Sequence, residues 1–167
     1  MLYISYRGLV NGQDQTTENT PNQIGKAFGY GFSVMVDVWR QAGKLYLGTN
    51  VPTIEVSANY LKGRKFWLMA RNTEMYDWLL TQSQTDYPNY FQVILPLQPF
   101  YNTSSGYLWT YATSPVSQTL SIMALPESYD AGLFSTVNLR AHGICSTLCP
   151  TIKRMRNEGL SIYGAFY

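Results

Sequence analysis

Hydrophobic and polar positions switch between a period near two and a period near 3.6 along the chain, and the switches outline strands and helices in turn. Residues 2–6 form a short apolar, β-prone run that opens at Arg7-Gly8 and Asn11-Gly12 into a polar loop lasting to Glu18. Thr20-Pro21 supplies an N-cap and a proline at the first helical position; Ile24, Ala27 and Phe28 then set one apolar face until Gly29 and Gly31 end it. The run 32–39 is apolar except at Ser33 and Asp37, the pattern of a strand covered on both faces, and Gly43 turns it into a partner at 44–47.

Further along, 54–61 reads as a short helix, 65–70 as a buried strand, and 73–81 as a helix capped by Thr73 with Met75, Trp78 and Leu79 along one side. Strand patterns recur at 90–95, 107–112, 120–125 and 143–146, then a basic helix at 151–158 and a last strand at 160–163. The segments 96–105 and 126–140 read as loops standing where full helices would be. Alternation of this kind predicts parallel strands with crossover helices, and about eight strands suit a barrel. The usual lower size of a TIM barrel is about 200 residues. The expectation is therefore an α/β fold over 1–167, a single domain built as a reduced TIM-type (β/α) barrel.

Composition narrows the function. A hydrophobic share of 46% excludes disorder, and no stretch approaches the ~18 apolar residues of a membrane span, so membrane insertion is not expected. A net charge of +2 is too small to neutralise many phosphates, which argues against duplex nucleic acid as a partner. Charged residues make up only 13% of the chain, about half the usual share, while Tyr, Trp and Phe number 14, 4 and 7. Sparse charge with many aromatics is the composition of surfaces buried against other proteins, although a Tyr-rich polar surface has it too. Cys145 and Cys149 are too few for a disulfide framework and fit a reducing compartment. No signal peptide follows Met1, so the expected location is the cytoplasm of the producing cell.

Four motifs in order, Ile4-Ser5-Tyr6-Arg7-Gly8, Glu18-Asn19-Thr20-Pro21, Met35-Val36-Asp37-Val38-Trp39 and Leu47-Gly48-Thr49-Asn50, resemble those of the glycerophosphodiester phosphodiesterases. That family reads His-Arg-Gly, Glu-Asn-Thr, Glu-x-Asp and His-Asp or His-Asn at the ends of successive strands of a PLC-like barrel. The similarity is greatest to a short branch found among phage and large-virus proteins, and it continues through Trp67 to Asn72, Gly106 to Tyr111 and Gly143 to Ser146. It implies a barrel-shaped phosphodiesterase fold and, from the viral context, a place in a host cell or a virion.

The family's chemistry uses two imidazoles as general base and general acid, and carboxylates that hold a divalent cation on the phosphate. Matched position by position, the first catalytic His is Tyr6, the Glu of Glu-x-Asp is Met35, and the second catalytic His is Thr49. Tyrosine's ordinary pKa of ~10 makes it a poor base at neutral pH, and threonine does not titrate usefully. Met35 puts a thioether where a hard cation wants oxygen, leaving at most a weak cation site at Asp37 and Glu18. Arg7, Glu18 and Asp37 remain as a possible phosphate site. The expectation is a degenerate phosphodiesterase serving as a structural or interaction module, with other proteins, in a viral assembly, as its partners. An active enzyme with an altered site and a phosphate binder without chemistry are the alternatives.

Each of these residues also has a plain structural explanation. Asp37 and Arg7 would pair across the barrel mouth, and Glu18 would meet the positive end of the helix that begins at Pro21. Arg7 has the best claim to an anion, since a guanidinium forks phosphate bidentately. His142, Cys145 and Cys149 have metal-like spacing but lack a fourth ligand, and no Asn or Asp beside them would orient a Cys nucleophile. The run Lys153-Arg154-Met155-Arg156 would suit RNA or an acidic partner, but a short basic cluster near a helix C-terminus more often complements the helix polarity and meets solvent, and tyrosines interleaved with so few cations do not by themselves indicate single-strand binding.

Overall fold

A computed structural model of the chain describes residues 1–63, 65–93, 100–111, 120–125 and 141–159. The first strand, β1 (Leu2–Tyr6), leads through the polar loop to helix α1 (Pro21–Gly29), whose N-cap Thr20 accepts from the Gln23 amide. The long strand β2 (Ser33–Gln41) then forms a hairpin with β3 (Lys44–Leu47). The segment expected to be a short helix divides instead: Ile54–Val56 extends as β4 against β3, and a single 3-10 turn follows at Ala58–Leu61. Ile54 and Val56 are half-buried while Glu55 is exposed, an alternation that a strand uses and a helix does not.

Strand β5 (Phe66–Ala70) precedes helix α2 (Thr73–Leu80), whose cap is Asn72 rather than Thr73: the Asn72 side chain accepts from the Met75 amide. Next come β6 (Tyr90–Gln92) and a β7 (Phe100–Asn102) to β8 (Leu108–Thr110) hairpin, so part of the expected loop 96–105 is a strand. Strands β9 (Ser121–Ala124) and β10 (Gly143–Ser146) and helix α3 (Cys149–Asn157) complete the described elements. The expected loop 126–140 and final strand 160–163 lie outside the described residues.

The ten strands among the described residues join in one sheet. Its spine is parallel, in the order β6-β5-β2-β1-β10-β9-β8, with β7 antiparallel on β8 and β3 and β4 antiparallel beyond β2. The sheet curls into a barrel-like trough. At its rims, the turn between β7 and β8 reaches β6, where the Ser104 amide donates to the Tyr90 carbonyl at 2.8 Å and the Tyr90 amide donates to Ser104 Oγ at 2.9 Å.

Two apolar layers explain why the strands read as nearly continuous apolar runs. Val34, Val36, Val38, Leu68 and Ala70 face outward onto Ile24 and Ala27 of α1 and Met75 and Leu79 of α2. Each buried Val, Leu, Ile or Met side chain among them contributes about 1.5–3 kcal/mol. Ile4, Tyr6, Met35, Trp67, Met69, Phe91 and Trp109 pack together on the inside of the curl. Gly143 is required by this inner packing, because a Cβ there would stand 2.9 Å from Ile122 Cδ1 and 3.0 Å from both Leu2 Cβ and the Leu2 carbonyl oxygen. Gly143→Ala is expected to destabilise by about 1–3 kcal/mol, read as a lower urea midpoint with unchanged slope.

Candidate functional site

The parallel register brings the C-terminal ends of β1, β2 and β5 to one mouth. Tyr6 pairs with Met35, Asp37 with Met69, and Arg7 and Arg71 each follow the last residue of their strand. Arg7 bends back over the mouth with φ 54°, its amide held by the Met35 carbonyl at 2.8 Å. From there its Nε donates to Asp37 Oδ2 at 2.6 Å, and Nη1 donates to Glu18 Oε1 and Oε2 at 3.0 and 3.2 Å.

Asn19, in the middle of the motif that carries Glu18, ties the rest together. Its Oδ1 accepts from the Asp37 amide at 3.0 Å, and its Nδ2 donates to Asp37 Oδ2 at 3.0 Å and to Thr49 Oγ1 at 2.9 Å. Thr49 in turn donates to Glu18 Oε1 at 2.6 Å. Gly48 brings Thr49 into place, in a turn where a Cβ would collide with the Val51 carbonyl oxygen. On the far side of Asp37, Arg71 Nε stands 3.6 Å from Oδ1, and its guanidinium lies over the Trp39 ring.

Asp37 is fully buried, and burial pushes its carboxyl above the usual carboxylate range while Arg7, Asn19 and Arg71 pull it back. Burial is the largest single influence on Arg7 and opposes its charge, but Asp37, Tyr6 and Glu18 together outweigh it and raise the guanidinium above its ordinary value. The Tyr6 ring lies 4.7 Å beneath that guanidinium, a cation–π contact. Burial drives the Tyr6 phenol well above its ordinary value, against the opposing pull of Arg7. Tyr6 is therefore protonated at neutral pH.

The structure thus gathers Tyr6, Arg7, Glu18, Met35, Asp37 and Thr49 at one place. The Met35 side chain lies in the inner apolar layer, and the Glu18 carboxylate accepts from Arg7 and Thr49. The Arg7–Asp37 pair is formed as expected. Both forked edges of the Arg7 guanidinium have lost a nitrogen, Nε to Asp37 and Nη1 to Glu18, so an incoming oxyanion is left with Nη2. Two small clefts flank the network, about 120 Å³ beside Tyr6 and Gln13, and about 250 Å³ beside Thr49 and Asn50.

Sequence reasoning passed over Asn19 and Arg71 as site residues. The signal for Asn19 lay in the motif that already marked Glu18; that for Arg71 was its place directly after a strand end. His142, Cys145 and Cys149 do not converge. Cys145 faces the inner layer, Cys149 packs in the outer one with Sγ 3.0 Å from the Ile4 carbonyl oxygen, and His142 Nε2 lies 3.2 Å from the Tyr107 hydroxyl. Among the described residues no three His, Cys, Asp or Glu side chains gather as a metal-binding group, and no helix is long and apolar enough to cross a membrane. Comparisons with family models, with curated proteins and with solved structures gave no match to the chain.

Proposed function

We propose that this chain is a catalytically inactive, glycerophosphodiester phosphodiesterase-like protein, a reduced TIM-type barrel of PLC-like design retained as a structural or interaction module. The observation that carries this reading is the internally paired charge of the mouth: two guanidinium groups, Arg7 and Arg71, face two carboxylates, Glu18 and Asp37. The positions that match the family's imidazoles hold a buried phenol and a threonine whose hydroxyl is already committed to Glu18. Neither exchanges a proton usefully at neutral pH.

The residues present do not fit the family's divalent cation. Arg7 bridges the two carboxylates that would ligate it, and the third position is the thioether of Met35. No catalytic step is assigned through a metal. Incubation with glycerophosphodiesters and an aryl phosphodiester in Mg²⁺, Ca²⁺ or Mn²⁺ is expected to give no turnover above background. Metal-dependent turnover lost in Asp37→Asn would overturn the reading.

The module role rests on the charge-poor, tyrosine-rich composition and on the viral character of the sequences this chain resembles. Its partners are then other proteins of a viral assembly. Purified particles are expected to contain the protein. A monodisperse monomer absent from particles would remove this role, and a thermal shift with phosphate that disappears in Arg7→Ala would put a phosphate binder in its place.

A further inference from the structure

The end of the sheet opposite the mouth carries a different chemistry. There the start of β2 and the C-terminal halves of α1 and α3 enclose a groove of about 430 Å³ lined by Tyr30, Phe32, Lys153, Arg154 and Glu158 among others. Tyr30 is 55% exposed and lies nearly parallel to Phe32, with an interplanar angle of 11° and ring centroids 5.9 Å apart. Lys153 Nζ sits 5.5 Å from the centre of the Phe32 ring. The adjacent strand repeats the unit, for Lys65 at the start of β5 lies over Phe28 of α1 at 5.8 Å.

Three of these cations lack an acidic partner. Among the described residues neither Lys65, Lys153 nor Arg154 forms an ion pair with a carboxylate. Helix polarity accounts for positive charge in the last turn of α3, but not for an exposed aromatic ring beside it. An aromatic face next to unpaired cations, in a shallow groove with a second ring and cation alongside, matches a ligand that repeats a flat ring and a negative charge. We propose that this groove binds single-stranded nucleic acid, with a base stacked on Tyr30 and phosphates held by Lys153 and Arg154. The small net charge of the whole chain confines binding to this groove and keeps it modest and salt-sensitive.

A duplex is a poor occupant, because its bases are already stacked and Tyr30 would find no free face. Glu158 is the opposing charge in the groove.

The test is fluorescence anisotropy of a labelled 12-nucleotide oligothymidylate with the full chain. Saturable binding is expected to weaken about sevenfold between 50 and 200 mM salt if two phosphates are neutralised. Tyr30→Ala is expected to weaken binding at least about fivefold, while Tyr30→Phe, which keeps the stacking face, retains it. The double replacement Lys153→Gln with Arg154→Gln should weaken binding and flatten its salt dependence, and Glu158→Gln should strengthen it. All four positions lie on the surface, and circular dichroism confirms that each variant is folded. Four outcomes would overturn the proposal: no saturable binding; binding indifferent to Tyr30→Ala; equal competition by polyglutamate or by phosphatidylserine vesicles; or thymidine monophosphate binding as tightly as the 12-mer.

Discussion

Asp37→Ala is expected to destabilise the protein by about 3–5 kcal/mol, because it leaves Arg7 in a largely buried place without its main counter-charge. For a domain of this size that corresponds to a fall in Tm of about 6–20 °C. Asp37→Asn, which keeps an oxygen toward Arg7 and Asn19, should cost less. The double change Arg7→Met with Asp37→Leu should recover part of the Asp37→Ala loss, since no guanidinium is left without Asp37 at that place, although Glu18 and Arg71 each lose a partner. The sign separates the two readings of the mouth. In a working active site, residues held for chemistry are often poor for stability, and their removal tends to be neutral or stabilising. Urea denaturation of the three variants decides it, and a neutral or stabilising Asp37→Ala would argue that the network serves a ligand.

The second large effect belongs to the inner layer. Trp109 is fully buried, with its ring 4.8 Å from Phe91 and 5.9 Å from Trp67. Trp109→Ala is expected to cost about 3–5 kcal/mol and to collapse the near-ultraviolet circular dichroism signal that close aromatic neighbours produce. Trp109→Phe should recover much of the loss. The surface offers a control: Leu80 is 57% exposed at the end of α2, and its replacement by alanine should change little.

Parallel strands, the first hairpin and both capped helices were legible because their apolar spacing and their Gly and Pro punctuation agree. The misreadings share one cause, short segments in which local preference is overridden by neighbours. Residues 54–56 become a strand because the exposed edge of β3 offers them a ladder, and Phe100–Asn102 do so because β8 offers another. At the end of β5, Asn72 takes the cap because its side chain is also fixed by the Arg40 carbonyl, to which Nδ2 donates at 2.7 Å. The site was legible as a set of motifs. Its closure was not, since no spacing in the sequence says that Arg7 Nε and Nη1 are engaged by two different carboxylates. The basic run on α3 was visible as charge, but its value depends on Tyr30 and Phe32, more than a hundred residues away.

Arg7 and Asn19 are both non-glycine residues in the left-handed region, at φ 54° and 57°. That conformation costs a side-chain-bearing residue about 1–2 kcal/mol. Both residues are held there by the bonds they make to Asp37 Oδ2 and the Asp37 amide, and the Asn19 amide also donates to the Arg7 carbonyl at 2.9 Å. The polar loop between them therefore behaves as a sprung catch. Once Asp37 is lost, both backbones gain by relaxing, and the release of one withdraws support from the other. Opening of residues 7–19 should then occur as a single cooperative event, with their amides exchanging hydrogen together while the parallel spine beneath stays protected.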